Sequence, residues 1–419
     1  MRLWIVNNYS IPPRFGGLVR HYYFSKFLRE RGHDVRIITG SQIHNTDKNF
    51  ADPGKLMKEM VIDGVPYTYV NTMSYTKNNH RRVINILQFT FRCVKVMKQI
   101  YDSGEHPDVI LASSPLPTSA KTALSFAHKR GIPFVFEVRD LWPQSLVEYG
   151  HLEKRPYLKP VVSVLYHLEH ALYRDADANV FTMAGGADYI RDRGWDDVDL
   201  AKVYQVNNGV DLDEFHTNLK KVHYDDPDLD DPNTFKIVYM GSIRPTYSLD
   251  LILDVAKSLI RELPQVRFYM YGGGTEVERL RKRCADEAIT NMNIKGRVQK
   301  EEIPSILVRA DLTLLQNRAV PLLKYGSSNN KLFEYLAAGV PILSTVRSRY
   351  SLIKDRHCGI ETPNQSMEAI RASIREALSW SEVERAEIKE NAQQVAREYD
   401  YRALSIKLEG ILDHLIQRR

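Results

Sequence analysis

Cysteine is scarce in this sequence. Only three cysteines occur among the 419 residues, Cys93, Cys284 and Cys358, and they lie far apart. The sequence has no Cys-x-x-Cys pair, and no histidine stands at metal-ligand spacing from a cysteine. This scarcity argues against a disulfide framework and against a structural zinc site, and it favours a reducing compartment.

Long hydrophobic runs are absent as well. The apolar run near the amino terminus, Leu3 to Val6, ends at the polar pair Asn7 and Asn8. A signal peptide needs a longer apolar segment, and a membrane-spanning helix needs about 18 or more apolar residues in succession. We therefore expect a cytoplasmic protein whose contact with a membrane, where it has one, is peripheral.

The excess of positive charge is small. The chain has 58 Lys and Arg against 52 Asp and Glu, which gives a net charge of +6. Hydrophobic residues make up 43% and charged residues 26%, a composition that excludes collagen-like and intrinsically disordered chains. We expect no nucleic-acid partner, because no known nucleic-acid-reading motif accompanies this modest charge.

Short apolar runs rich in Val, Ile and Tyr alternate with longer helical patterns, and this alternation predicts α/β domains with parallel sheets. The length suits two domains of about 200 residues each. The predicted strands are Leu3–Asn7, Val35–Thr39, Tyr67–Val70, Val109–Ala112, Phe134–Val138, Asn179–Thr182 and Val203–Val206, followed by Lys236–Met240, Arg267–Tyr271, Asn293–Lys295, Leu312–Leu315 and Pro341–Ser344. Two such sheets in tandem usually place a ligand in the cleft between them, beyond the carboxyl ends of the strands.

Aspartates and prolines crowd between the two predicted sheets. We predict a first domain over residues 1–212, a linker over 213–234, a second domain over 235–395, and a terminal helix over 396–419. The pair Asp226-x-Asp228 has the spacing of a metal-binding Asp-x-Asp motif. Because it lies in the acidic linker and follows no buried strand, we interpret it as a solvated loop and expect no metal there.

One candidate ligand loop lies between the first strand and the first helix. Its adjacent glycines, Gly16 and Gly17, allow close approach of backbone N–H groups to a ligand, and the following helix N-terminus favours an anion. A plain strand-to-helix turn is the alternative. No Gly-Lys-Ser/Thr follows, and neither does Gly-x-Gly-x-x-Gly, which weakens a kinase-type or simple dinucleotide-binding interpretation.

Two further candidate segments lie in the second half. Gly273 is in a glycine run directly after a predicted strand, where ligands of α/β sheets bind; a loop without a ligand explains the run equally well. Lys331 and Glu334 are three residues apart in the first turn of a predicted short helix, so they share a face. Asn330, which directly precedes Lys331, is a further candidate for donor binding. The carboxylate can accept two hydrogen bonds from a ribose diol, while Lys331 and the helix N-terminus can bind a diphosphate. The alternative is a surface ion pair.

Five segments, in this order, resemble the GT-B glycosyltransferases of the retaining family four. They are Pro12–Gly17, Arg31–Val35, Asn208–Asp211, Gly241–Asp250 and Lys331–Pro341. The segment Arg139–Pro143 is similar to the branch that builds bacterial surface polysaccharides, such as lipopolysaccharide, from amino-sugar donors.

The resemblance implies two tandem Rossmann-like domains that face each other across a cleft, with the terminal helix crossing back to the first domain. The first domain would bind a lipid-linked sugar, oligosaccharide or polysaccharide acceptor. The second would bind a nucleotide-sugar donor, with UDP expected and GDP open, and the sugar would keep its anomeric configuration. No metal and no cofactor is expected.

The resemblance also assigns roles to residues. Glu334 matches the second glutamate of the family's Glu-x7-Glu motif and would bind the ribose, whereas the first glutamate is replaced by Gly326. Gly16 and Gly17 match the loop that caps the donor phosphates. The family's phosphate-binding Arg and Lys align with Ser242 and Tyr247.

The predicted site also contains two cations, in place of the family's phosphate-binding Arg and Lys, and one carboxylate in the first domain. Arg244 and Lys331 are the cations that we expect to replace the missing pair, since an uncompensated diphosphate in a dry cleft is costly. Asp140 would orient the acceptor or stabilise an oxocarbenium-like transition state. Its alternative role is a helix N-cap or an ion pair with Arg139.

One basic segment stands out by its charge pattern alone, without reference to the family resemblance. No acidic residue occurs between Asp63 and Asp102. Basic and apolar residues interleave there in a predicted helix: Lys77, Arg81, Arg82, Arg92, Lys95 and Lys98 with Val83, Ile84, Ile86, Leu87, Phe89 and Phe91. This pattern suits an anionic membrane surface or a lipid diphosphate; a core-packed helix with a solvated basic face is the alternative.

Two other functions remain open on the sequence alone. A nucleotide-sugar epimerase of the same fold would release the nucleotide without needing an acceptor. A non-catalytic two-domain protein would bind a small ligand without turning it over.

Overall fold

The computed structural model describes residues 1–44, 46–76, 80–150 and 155–418. The chain divides into two compact units. The first contains Met1–Asn208 and Tyr401–Arg419, and the second contains Gly209–Asp400. Each unit is built on one sheet with helices on its faces, so the predicted α/β class with two parallel-sheet domains is confirmed.

The sheet of the first unit has eight strands in the order β3-β4-β2-β1-β5-β6-β7-β8. Their bounds are β1 (Arg2–Val6), β2 (Asp34–Gly40), β3 (Met57–Ile62), β4 (Val65–Val70), β5 (Val109–Ser113), β6 (Phe134–Val138), β7 (Ala178–Phe181) and β8 (Val203–Gln205). All pairs are parallel except β3 with β4. The central strands are buried on both faces, which explains their near-continuous apolar sequences.

The helices of the first unit are α1 (Arg20–Glu30), α2 (His80–Asp102), α3 (Pro117–His128), α4 (Gln144–Gly150), α5 (Lys159–Asp175) and α6 (Gly186–Asp192). The terminal helix α16 (Tyr401–Gln417) also belongs to this unit and packs against α1. The ring of Tyr401 stacks on that of Tyr23 with 4.7 Å between centroids. At the far end of the contact, Glu409 pairs with Arg31 and His33.

The second unit has a six-stranded parallel sheet in the order β11-β10-β9-β12-β13-β14. Its strands are β9 (Phe235–Met240), β10 (Val266–Tyr271), β11 (Met292–Gly296), β12 (Leu312–Leu315), β13 (Ile342–Ser344) and β14 (Gly359–Glu361). Its helices are α7 (Leu212–Lys221), α8 (Pro227–Asp230), α9 (Asp250–Leu259), α10 (Val277–Asp286), α11 (Ile303–Leu307), α12 (Asn330–Ala338), α13 (Leu352–Asp355), α14 (Met367–Ser379) and α15 (Glu382–Glu398).

The segment 213–234, predicted as a linker, lies within the second unit and contains most of α7 and all of α8. The interpretation of Asp226 as part of a solvated loop is wrong. Its side chain is buried, accepts a hydrogen bond from the Tyr271 hydroxyl at 2.7 Å, and lies 2.8 Å from the ammonium of Lys295. Asp228 pairs with the same lysine at 2.6 Å. The two aspartates thus share a cation supplied by β11, a partner that local composition does not reveal.

Candidate functional site

The loops that follow β9, β10 and β12 meet at one edge of the second sheet. Because all strands of this sheet are parallel, their carboxyl ends lie at the same edge, where open α/β sheets bind ligands. Gly241 follows β9, Gly272 follows β10 and Gln316 follows β12. The candidate residues Arg244, Gly273, Asn330, Lys331 and Glu334 all belong to this unit.

The glycine run after β10 packs against the loop after β9. A Cβ atom on Gly272 would lie 1.7 Å from the carbonyl oxygen of Gly241, and one on Gly274 would lie 1.9 Å from that of Ile243. The Ile243 N–H donates to the Gly273 carbonyl at 3.0 Å. The close approach that the sequence indicates is therefore an approach of one loop backbone to the other, and it fixes both loops at the sheet edge.

Helix α12 is tied to the same strand end. The Tyr335 hydroxyl accepts a hydrogen bond from the backbone N–H of Met240 at 2.8 Å. Carbonyl oxygens of Met240 and Leu314 lie 3.3 Å from this hydroxyl. Gly339 ends the helix in the left-handed conformation, with φ of +67°. These contacts hold the amino-terminal half of α12, with Lys331 and Glu334, beside the end of β9.

Lys331 is buried between two tyrosines. Its ammonium donates to the Tyr239 hydroxyl at 3.0 Å and lies 4.3 Å and 4.0 Å from the ring centroids of Tyr239 and Tyr247. A Cβ on Gly241 would lie 3.3 Å from this ammonium, so the cation sits directly at the carboxyl end of β9. Burial lowers the pKa of Lys331 to about 7, and the Glu334 carboxylate only partly opposes this change.

Glu334 is half-buried one helical turn further along α12. Burial raises the pKa of its carboxyl group; Lys300 and Lys331 counteract the rise, and Glu214 adds to it. Lys300 and Glu214 form an ion pair with 2.7 Å between charged atoms. This pair was not predicted, because Glu214 lies in the predicted linker and Lys300 belongs to no predicted element; in the structure, Lys300 begins a 3-10 helix, Lys300–Glu302.

Arg244 occupies a different part of the edge. It precedes a short 3-10 helix, Pro245–Tyr247, and its buried Nε makes no hydrogen bond to any residue that the structure describes. It lines a cavity of about 240 Å³ whose other walls come from the starts of α9 and α10, including Asp250, Glu276 and Arg279. Lys331 is not among the residues that line this cavity.

Two family models match the chain and cover most of it. The model described as "Glycosyltransferase Family 4" matches residues 15–214, and the model described as "Glycosyl transferases group 1" matches residues 225–395. The chain belongs to the family 4 glycosyltransferases. A comparison with curated proteins gives no match.

Solved structures of glycosyltransferases share the fold over the whole chain. The α,α-trehalose 6-phosphate synthase of Burkholderia multivorans has a TM-score of 0.72 at 14% identity, covering all of this chain and 99% of its own. Anabaena Alr3699/HepE in complex with UDP and glucose has a TM-score of 0.68 at 15% identity, covering 99% of each chain. WaaG, a glycosyltransferase involved in lipopolysaccharide biosynthesis, has a TM-score of 0.64 at 16% identity, covering 98% of this chain and 99% of its own. The fold of this glycosyltransferase is therefore GT-B.

The position of Tyr247 connects the geometry with the family pattern. The resemblance aligns Tyr247 with the family's phosphate-binding lysine, and in the structure the ring of Tyr247 contacts the ammonium of Lys331. Lys331 therefore lies next to the position that the resemblance assigns to that lysine, and its replacement of the lysine stays a prediction. This contact was not predictable from the sequence, which gave only the suggestion that Lys331 replaces the missing lysine.

The other candidate residues of this glycosyltransferase lie in the first unit. Gly16 and Gly17 are exposed, and a Cβ on either would meet no atom within 4 Å. Asp140 follows β6 and is solvent-exposed; the Ser114 Oγ accepts hydrogen bonds from the backbone N–H groups of Arg139 and Asp140 at 2.9 Å and 3.1 Å. Among the described residues, neither an N-cap bond nor an ion pair with Arg139 is observed for the Asp140 carboxylate. Desolvation by its surroundings raises the pKa of Asp140, and Arg139 opposes the rise.

The first unit also contains a buried cluster of charged side chains around Glu137, which was not predicted from the sequence. Glu137 of β6 is fully buried and accepts hydrogen bonds from Arg20 Nε and Ser113 Oγ, and its other close partner is His21 Nε2 at 2.7 Å. Desolvation alone would raise the pKa of Glu137, but Arg20 and His21 hold it well below its usual range. Arg20 also donates to the carbonyl oxygen of Val206 at 2.7 Å, so the cluster ties α1, β6 and the chain after β8 together.

A sequence signal for this cluster existed. Arg20 and His21 open the helix that directly follows the Gly16–Gly17 loop, and both occupy buried positions on α1. Charged residues on the apolar side of an amphipathic helix need buried partners, because an isolated buried charge is strongly unfavourable. The partner, Glu137, lies more than a hundred residues away in a strand, so only the tertiary structure identifies it.

Proposed function

We propose that this glycosyltransferase moves a sugar from a UDP-sugar to a hydroxyl group of a lipid-linked or polysaccharide acceptor, with retention of anomeric configuration. The single observation that carries the proposal is the placement of Lys331 and Glu334 on one face of α12, at the carboxyl edge of the second sheet. HepE was solved with UDP and glucose, and the Escherichia coli trehalose-6-phosphate enzyme with UDP-2-fluoro glucose; both share this fold.

The proposed roles follow from charge and distance. The Glu334 carboxylate accepts two hydrogen bonds from the ribose diol, and Lys331 compensates the diphosphate directly beside the end of β9. Asn330 and the first turn of α12 add backbone N–H groups to the phosphate site. The exposed Gly16 and Gly17 leave room for the backbone of their loop to approach a phosphate, while the backbone of Gly273 fixes the loop after β9 at the phosphate site.

The chemistry that these residues support is stabilisation of the leaving group. As the glycosidic bond breaks, negative charge accumulates on the diphosphate, and fixed cations and N–H groups lower the energy of that state. Lys331 is the main cation, and Arg244 is the second. We propose that this arrangement works without a divalent metal. Asp140 orients the acceptor hydroxyl or stabilises positive charge on the sugar ring.

The absence of the first glutamate of the Glu-x7-Glu pattern bears on which donor sugar is recognised. Where the Glu-x7-Glu pattern has a carboxylate for the sugar, this chain has Gly326, at the end of a 3-10 helix, Pro321–Tyr325. We propose a hexosyl or N-acetylhexosaminyl donor that is recognised without this carboxylate, and the resemblance of the Arg139–Pro143 segment favours the amino sugar.

For the acceptor, we propose a lipid-linked sugar in the assembly of a surface polysaccharide, handled at the cytoplasmic face of an anionic membrane. WaaG, which has this fold, is involved in lipopolysaccharide biosynthesis. The three free cysteines agree with a reducing compartment. Among the described residues, no helix has the length and apolar character needed to cross a membrane.

The ribose contact is tested by pairing Glu334→Ala with 2′-deoxy-UDP. We expect Glu334→Ala to weaken UDP binding by about 1.5–3 kcal/mol, the value of a hydrogen bond to a charged group. Glu334→Ala should weaken the binding of 2′-deoxy-UDP clearly less than that of UDP, because this nucleotide keeps only the 3′-hydroxyl of the diol. The binding free energies of both nucleotides to both proteins are measured by calorimetry. Glu301→Ala serves as the control, because Glu301 is exposed and directly follows Lys300 in the sequence.

If Glu334→Ala lowered the affinities for UDP and 2′-deoxy-UDP by the same factor, the 2′-hydroxyl would not be its partner. The assignment of Glu334 to the ribose diol would then be wrong.

A proton should be taken up when the diphosphate binds. The pKa of Lys331 is about 7 in the free protein, and a bound dianion must raise it. Since the pKa of Lys331 is higher in the complex, the affinity for the UDP dianion falls as the pH rises above about 7, by up to about tenfold per unit. At about pH 8 the terminal phosphate of UDP is already ionised, so uptake there reports on the protein.

The measurement is calorimetric titration of UDP at this pH in two buffers with different ionisation enthalpies. The parent should take up a substantial fraction of one proton, and Lys331→Met should take up less. Equal heats in both buffers for the parent would contradict the account.

A further inference from the structure

Exposed apolar side chains are concentrated on one part of the first unit. Among the described residues, thirteen large apolar side chains are exposed. Nine of them lie in or beside the starts of α2, α4 and α5: Met73, Val83, Ile84, Leu87, Phe91, Leu146, Tyr157, Val161 and Val164. The other four, Val61, Val308, Val383 and Ile406, lie singly in four different elements. Isolated exposed apolar residues are ordinary, whereas a concentration of them marks an interaction surface.

The fold places these residues at one edge of the sheet. Helix α3 packs against both α2 and α5, so the three helices form one layer. Each of α2 and α5 leads into a parallel strand, β5 and β7, so their carboxyl ends lie at the amino edge of the sheet and their amino-terminal halves at its carboxyl edge. The Gly16–Gly17 loop and Asp140 follow β1 and β6 and therefore lie at the same edge.

The exposed face of α2 changes from apolar to basic along its length. Ile84, Leu87 and Phe91 are separated by three and four residues, so they share one face, and Phe91 is 66% exposed. Lys95 and Lys98 follow Phe91 by four and seven residues and continue this face. The opposite face is core, with Phe89, Cys93, Val96, Met97 and Ile100 buried. The helix therefore packs on the sheet with one side and presents the apolar and basic stripe on the other. Lys77, which belonged to the predicted basic segment, lies outside the described residues.

The start of α5 has a similar character. Tyr157 is 73% exposed, and Val161 and Val164 are three residues apart on the helix. Arg155 and Lys159 flank Tyr157 and are exposed as well. No acidic residue occurs on α2 before Asp102 or on α5 before Glu169. On α5 the cations flank Tyr157 at the carboxyl edge of the sheet, whereas on α2 Lys95 and Lys98 continue the apolar face into the carboxyl-terminal half of the helix. Neither helical stretch contains a carboxylate.

We propose that these two helix faces bind an anionic lipid bilayer. The faces consist of Val83, Ile84, Leu87, Phe91, Lys95 and Lys98 on α2 and of Tyr157, Lys159, Val161 and Val164 at the start of α5; we call them the membrane face. The apolar side chains enter the boundary between headgroups and acyl chains, and the lysines attract anionic headgroups. The carboxyl edge of the first sheet then lies at the lipid surface, where the head of a lipid-linked acceptor is found. The inference deepens the proposed function and rests on it only for the acceptor.

Charge complementarity selects a bilayer over a protein partner. A protein interface of this kind would be expected to depend on a few anchor side chains at its centre. Here the apolar residues are spread over two helices and bordered by cations, which is the arrangement of peripheral proteins on anionic membranes.

The test is flotation of the purified full-length chain with vesicles made of equal parts phosphatidylglycerol and phosphatidylcholine, and with vesicles of phosphatidylcholine alone. The parent should bind the anionic vesicles, and binding should weaken as salt is added. Leu87→Ser with Phe91→Ser should lower the partition coefficient at least about tenfold. Lys95→Gln with Lys98→Gln should lower it by about fivefold for each lysine, and only on anionic vesicles.

A matched control variant, together with checks of thermal unfolding and UDP binding, distinguishes loss of membrane binding from loss of folding. Val383→Ser with Ile406→Ser removes two exposed apolar side chains outside the membrane face and should leave vesicle binding unchanged. All variants should unfold at the temperature of the parent and should bind UDP as the parent does, because none of the changed residues belongs to the donor site.

Three outcomes would overturn the inference. The first is a parent that does not float with anionic vesicles although it binds UDP. The second is equal flotation of the parent and the Leu87→Ser, Phe91→Ser variant. The third is a parent that is dimeric in solution and becomes monomeric in this variant with vesicle binding unchanged, which would make the face a contact between copies. Flotation without any UDP binding would instead remove the proposed donor site and leave the membrane face standing.

Discussion

Replacing Lys331 by methionine is expected to lower kcat/KM for the nucleotide-sugar donor about 100- to 1,000-fold, the usual cost of removing one preorganised group that stabilises developing charge. Methionine keeps most of the length of the side chain and its contacts with the rings of Tyr239 and Tyr247, but it has no charge. The side chain of Lys331 is held between the two rings before the substrate arrives, so once the amino group is protonated its stabilisation of the diphosphate requires little movement. Steady-state release of UDP from UDP-N-acetylglucosamine and from UDP-glucose measures the effect.

The control for this experiment is Lys282→Met on α10. Lys282 is exposed and pairs with Asp286 at 2.7 Å, so the loss of its charge should change kcat/KM very little. The Lys331→Met protein should also unfold no more easily than the parent, because the variant removes a buried charge. A decrease of less than about threefold in kcat/KM, well below the effect of one such group, would show that Lys331 does not contact the leaving group.

Replacing Glu137 by glutamine is expected to destabilise the first unit by about 3–5 kcal/mol, the typical cost of removing one partner from a buried ion pair. Arg20 would then be a buried cation without a counter-charge, since burial lowers the pKa of His21 and Glu137 is the carboxylate that contacts both residues. The connection from Arg20 to the carbonyl oxygen of Val206 would weaken as well. Denaturant unfolding, followed by a probe in the first unit, measures the change.

Glu59→Gln provides the comparison for Glu137→Gln. Glu59 also pairs with an arginine, Arg36, but its side chain is 55% exposed, so the loss should stay within about 1 kcal/mol. If both variants lost equally little stability, the buried cluster around Glu137 would contribute no more than a surface pair, and its assignment as the tie between α1 and β6 would be wrong.

The strands of both sheets were predictable because burial on both faces gives them continuous apolar sequences. Leu3–Val6 and Ile237–Met240 illustrate this, and all twelve predicted strands occur. The two strands that the prediction lacked have weaker patterns. β3 (Met57–Ile62) includes Lys58 and Glu59 at the sheet edge, and β14 (Gly359–Glu361) has only three residues. An edge strand carries few apolar residues, so its pattern is less distinct from that of a loop.

Part of the candidate site was also accessible from spacing alone. Lys331 and Glu334 share a helix face because they are three residues apart, and that much follows from helix geometry. The position of the Lys331 ammonium between Tyr239 and Tyr247, and the Lys300 cation near Glu334, depend on contacts between residues far apart in the chain. Such contacts are properties of the tertiary structure, and local sequence patterns do not contain them.

The same reason explains the misjudged acidic segment. Five aspartates and two prolines between positions 225 and 232 have the composition of a loop, and nothing nearby in the sequence neutralises them. In the structure, Lys295 and the Tyr271 hydroxyl reach Asp226 from the neighbouring sheet, so the carboxylate is buried and paired. The linker interpretation treated the charges as solvated because their partners were more than forty residues away.

The central claim is that the carboxyl edge of the second sheet is a site for a nucleoside diphosphate that needs no metal. Calorimetric titration of the parent protein with UDP and with GDP, in the presence of a chelator, tests it most directly. The account predicts binding of UDP, a smaller or absent response to GDP, and no change when magnesium is supplied instead of the chelator. Failure of both nucleotides to bind under either condition would contradict the donor-site assignment and favour a two-domain binding protein with a different ligand.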